Sequence, residues 1–93
     1  MKEIQLIIEE IEAIINKLQQ QQLRNAYEEL NITIGKLIDV VSKLKPNEDI
    51  QYNIERLNKT LMQCVTAMEE KDNVLLADIL EYEVIDILTE IIE

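Results

Sequence analysis

Histidine, tryptophan and phenylalanine are absent from this 93-residue chain, and glycine, proline and cysteine occur once each. Without histidine the chain lacks the commonest general base near neutral pH and the commonest transition-metal ligand. A Glu-x-x-His di-iron site cannot be built, and one cysteine cannot make a zinc site. Gly35 stands alone, so there is no glycine-rich phosphate loop. These gaps point to a protein with no catalytic residues, no metal and no cofactor. The scarcity of glycine and proline also excludes turn-rich β architectures and leaves an all-α fold. Cys64 has no partner for an internal disulfide, and its place on an apolar stripe marks it as a small buried hydrophobe in a reducing cytoplasm.

Basic residues are scarce too: nine against 19 acids give a net charge of -10. A chain so acidic repels phosphate backbones and anionic headgroups, so nucleic acid and membrane surfaces are poor partners. Glu3, Glu9, Glu10 and Glu12 break any apolar run near the N-terminus, so no export or anchoring signal is expected there. With 47% hydrophobic residues the chain has the material for a core. Its length allows only one, so residues 1–93 are read as a single domain.

Hydrophobic periodicity divides the chain into four helices. Ile4, Ile7, Ile8, Ile11, Ile14, Ile15 and Leu18 recur at steps of three and four, which predicts an amphipathic helix over 2–19. Leu23, Ala26, Tyr27, Leu30, Ile34, Leu37, Ile38, Val41 and Leu44 make a second stripe over 24–45 that stops at Pro46. At roughly 100° per residue the two stripes are out of phase by about a third of a turn, so a turn is expected near Gln20 to Asn25. Asn47 is placed to cap a third helix over 48–71, with Ile50, Ile54, Leu57, Leu61, Cys64, Val65 and Met68 on its stripe. Asp72 or Asn73 can cap a fourth over 73–92, whose stripe is Leu76, Ala77, Leu80, Val84, Ile87, Leu88 and Ile91. Similar lengths and short connections predict an antiparallel up-down four-helix bundle. Gly35 falls mid-helix, where it marks either tolerated drift or a close helix crossing.

Two features of the fourth helix bear on function. Glu81 projects near the apolar side with Asp78 on the same edge; it reads as a rim ion pair or hydrogen bond to Arg56, Lys59 or a tyrosine hydroxyl, or else as a functional carboxylate. Leu75, Ile79 and Tyr82 lie at i, i+4 and i+7 opposite the core stripe, and Asn73 to Glu93 holds six acids and no base. An apolar row edged by Asp78, Glu83 and Asp86 suits the apolar face of a partner helix with basic flanks. A homodimer would bury the same row, and scattered surface apolar residues also occur without a function. Tyr52 and Met62 would extend the row if the third and fourth helices are neighbours.

The stretch from Met68 to Glu83 resembles a segment of small bacterial helical proteins carrying the pattern KD-x-V-L-L-A-D-x-L-E-Y-E. The resemblance implies that Asp78, Glu81, Tyr82 and Glu83 are characteristic positions and assigns them no activity. In size, acidity and layout the chain is also similar to bacterial flagellar export chaperones, which hold a subunit's amphipathic helix against a helical surface. That likeness implies an adaptor or chaperone-like role.

Overall fold

The computed structural model describes residues 2–93. α1 spans Lys2–Gln19, α2 Leu23–Ser42 and α3 Glu48–Glu69. A fourth rod is built from α4 (Asn73–Ile79), a π-helical turn (Leu80–Val84) and α5 (Ile85–Ile92). The result is the expected all-α four-helix bundle, 39 × 23 × 19 Å.

All seven apolar residues of the α1 stripe are buried, as are all seven of the fourth rod's stripe. At about 1.5–3 kcal/mol per large aliphatic side chain removed from water, these two rows are the main source of stability. α1 packs along both α2 and the fourth rod, and α3 packs along the fourth rod. α2 and α3 barely touch. Three seams of the bundle are therefore closed and one is open.

Both tight turns use the same device. After α1, Gln22 N–H donates to the Lys17 carbonyl (2.9 Å) and Gln21 N–H to that of Leu18 (3.2 Å), with Gln21 at φ 63°. After α3, Asp72 N–H donates to the Ala67 carbonyl (2.9 Å) and Lys71 N–H to that of Met68 (3.1 Å), with Lys71 at φ 56°. These are helix-ending motifs that favour glycine, filled here by side-chain-bearing residues. Their symmetry makes the chain a pair of helical hairpins.

The junction between the hairpins ends α2 earlier than its apolar stripe does. Lys43 and Leu44 N–H groups bond back only three residues, to Val40 and Val41, and Pro46 disfavours helix in the residue before it, so α2 stops at Ser42 instead of near Lys45. Asn47 caps α3 by accepting from Ile50 N–H (2.8 Å), and Asp72 caps α4 by accepting from Leu75 N–H (3.1 Å). Asn73 accepts instead from the Tyr27 hydroxyl, tying the start of α4 to α2. A Cβ built on Gly35 meets nothing within 4 Å, so no close crossing requires that glycine.

Candidate interaction surfaces

The six residues expected to form a docking face do not form one patch. Ile79 is only 4% exposed and belongs to the core, which corrects its reading as an outward anchor. The cause is tertiary. The fourth rod is flanked by α1 on one side and α3 on the other, so its buried arc is wider than its central stripe, and Ile79 lies on the flank that α3 covers. Within the rod, Ile85 N–H bonds back five residues to the Leu80 carbonyl, a π-type turn that also departs from the uniform spacing used to place this face.

Leu75, Ile79 and Glu83 line one side of a shallow groove of about 350 Å³ against α3. Met62 and Ala67 complete its apolar surface, Gln63 and Thr66 lie between, and Glu70 joins Glu83 as a second carboxylate. Met62 thus does extend the row from the neighbouring helix, 71% exposed, with Leu75 at 45%. Tyr52 does not. It lies by the Pro46 end of α3, where the Arg56 guanidinium sits 5.6 Å from its ring centre.

The other three expected residues point elsewhere. Asp78 borders a groove on the α1 side with Leu18, Gln19 and Gln21. Tyr82, 69% exposed, and Asp86 face solvent. Glu81 is also exposed, so the structure does not hold it at the apolar edge. Arg56, one of the cations expected to meet it, pairs with Glu90 (2.7 Å) and donates to Asn53 Oδ1 (3.0 Å), which ties α3 to α5.

Cys64 is fully buried on α3 as expected. Burial first, and the negative charge of Glu83 second, push its thiol up from 9.0 to about 12, so at neutral pH it is a protonated thiol and a poor nucleophile. Glu83 is on the α3 side of the rod, where it lines the groove described above. Among the described residues no group of three or more Cys, Asp or Glu side chains is arranged to hold a metal, and no helix is long and apolar enough to cross a membrane.

A second groove, of about 400 Å³, lies where α2 and α3 fail to close. Leu37, Ile38, Val41 and Leu44 come from the α2 side, Ile54, Leu57 and Leu61 from α3, and Pro46 closes the end. Its polar members, Ser42, Gln51 and Asn58, are all uncharged. Ile38, expected on the core stripe, is 56% exposed because α3 stands too far off to cover it. None of the ion pairs among the described residues joins α2 to α3, whereas Lys36–Glu10 (2.9 Å) and Lys17–Glu29 bridge α1 and α2. The sequence signal for this groove was the width of the α2 stripe: nine apolar residues, of which only Ala26, Leu30, Leu37 and Val41 are buried.

No curated protein and no solved structure matches the chain. A family model matches it from end to end, residues 1–93, and the chain belongs to that family, described as "Domain of unknown function (DUF8042)".

Proposed function

We propose that this protein is a non-enzymatic interaction module, adaptor or chaperone-like, that holds a partner's amphipathic helix in the groove between α3 and the fourth rod. The observation that carries this reading is the composition of that groove. Met62, Leu75 and Ile79 give an apolar track, and Glu70 and Glu83 border it. The rod carries five acids and no base, Glu93 follows it, and among the described residues only Glu90 of these is paired with a cation. An apolar track bordered by unpaired carboxylates favours a helix whose apolar face is flanked by lysine or arginine. Asp86 on the outer face extends the reach of the field without lining the groove, and the uncharged Tyr82 beside it lies outside the groove as well. In this reading the protein works in the cytoplasm and its partner is a protein.

The test is titration of a fluorescent amphipathic peptide, leucine on one face and lysine on its flanks, into the wild type and into Leu75→Arg and Glu70→Lys/Glu83→Lys. Both altered proteins should keep their helical circular dichroism, since Leu75 is 45% exposed and Glu70 and Glu83 are exposed on the rim. The expected result is about a tenfold or greater loss of affinity in each, near the 1.4 kcal/mol that a lost anchor or a pair of rim charges supplies. Unchanged affinity in both variants overturns the assignment.

A further inference from the structure

We propose that the open α2/α3 seam is a homodimer interface, in which two copies pack seam to seam about a two-fold axis and each fills the other's apolar groove. This surface is separate from the one assigned to a partner helix above and does not depend on it.

Charge distribution is the first argument. From residue 36 to 59, the stretch that includes the second half of α2 and the first half of α3, Lys36, Lys43, Lys45, Arg56 and Lys59 stand against Asp39, Glu48, Asp49 and Glu55, a net +1 that becomes -1, still near neutral, once Lys36 and Arg56 are set aside as the partners of Glu10 and Glu90. The rest of the chain therefore carries -11 of the total -10. Two acidic bodies that meet elsewhere bring like charges together, and at this seam they do not. The acids of the fourth rod then lie on the far side of the bundle, and at physiological ionic strength charges separated by more than about 8–10 Å are largely screened.

The lining of the groove is the second argument. It contains no charged side chain, so its occupant must be apolar and uncharged at the point of contact. The exposed edge of the same seam meets that requirement. Ile38 projects from α2, 56% exposed, and on α3 the half-buried Ile54 and the 44% exposed Val65 lie along one edge on either side of the buried Leu61. In an isologous pair the residues that form the groove also fill it, because each contact occurs twice across the axis. A helix of 20 residues is about 30 Å long, and two side by side are about 20 Å wide, a face of roughly 600 Å² that falls below the ~800 Å² per partner of a standard interface and suits a weak dimer.

This arrangement also accounts for the α2 stripe being wider than its own bundle uses. Ile34 and Ile38 extend it toward α3, which does not close over Ile38.

Sedimentation velocity on the wild type, on Ile38→Glu and on Tyr82→Glu tests the proposal. The wild type should sediment at twice the chain mass of 10.9 kDa. Ile38→Glu, which sets two carboxylates near the axis at a position already half exposed, should weaken association at least about 100-fold with its helicity intact. Tyr82→Glu, on the outer face of the fourth rod, should remain dimeric. Val65→Glu repeats the test from the α3 side should Ile38→Glu fail to fold. A wild type that stays monomeric to about 1 mM overturns the proposal. So does a dimer that survives both seam variants, or one that Tyr82→Glu splits.

Discussion

The α3/fourth-rod seam and the α2/α3 seam share one helix and have opposite characters. Along the first, α3 packs on its neighbour, Ile79 and Ala67 are buried, the Arg56–Glu90 pair bridges the rods, and carboxylates border what remains open. Along the second, no ion pair crosses among the described residues, the helices stand apart, and the lining is apolar and neutral. Ile79 and Ile38 show the difference most directly. Both are isoleucines at the margin of an amphipathic stripe, and only the first has a neighbouring helix close enough to cover it. Burial at a stripe margin is decided by the spacing of helices, which local periodicity does not encode.

The largest expected effect comes from placing a charge at each margin. Ile79→Arg buries an unpaired cation and should cost at least about 3 kcal/mol, which for a domain of this size lowers the melting temperature by more than about 12 °C. Tyr82→Arg, one turn further along on the exposed face, should stay within about 0.5 kcal/mol of wild type. Equal melting of the two in a thermal circular dichroism series would mean that the α3/fourth-rod seam is as open as the other.

Cys64 reports on the same seam. Its thiol should resist a disulfide reagent at pH 8 in the native protein and react at the rate of unfolding, because the folded state holds it fully buried and protonated. A thiol raised in the folded state stabilises the fold below its ordinary value of 9.0, and that contribution is lost as the pH climbs from 9.0 through about 12. Wild type should therefore lose more stability in alkali than Cys64→Ala, as read by denaturant melts at pH 8 and pH 11. Parallel losses would place the thiol in a wetter site.

Smaller effects separate the seams from the turns that join the rods. Lys71→Gly removes the strain of a left-handed backbone at φ 56° and should add about 1 kcal/mol. Gly35→Ala, with nothing within 4 Å of the new methyl group, should add up to about 1 kcal/mol. Neither should alter the sedimenting mass, and a change in mass from either would mean that the dimer depends on more than the α2/α3 seam.

Much of the fold was legible in the sequence. The α1 and fourth-rod stripes name buried residues without an error, and Pro46, Asn47 and Asp72 mark the helix boundaries because their backbone chemistry is local. The phase shift between the first two stripes put a turn near Gln20 to Asn25 with no glycine present, and the turn falls at the start of that range, with α2 beginning at Leu23. The candidate site was legible only in part. Leu75 and Glu83 were found by helical spacing and Met62 by supposing the right neighbour, but Ile79 was put on the wrong side because α3 widens the buried arc. The α2/α3 groove was missed altogether. Its signal, Ile38 on a stripe too broad for one bundle, can be read in the sequence only once the distance between α2 and α3 is known.

The most direct test of two seams with opposite electrostatics is the wild-type dimer dissociation constant, measured by sedimentation at about 50 mM and about 500 mM salt, which spans Debye lengths from above to well below 10 Å. An apolar, neutral contact between two chains of charge -10 should tighten as salt screens their mutual repulsion. Dissociation at high salt would show that the copies are held by charge, and would contradict the assignment of the neutral seam to self-association.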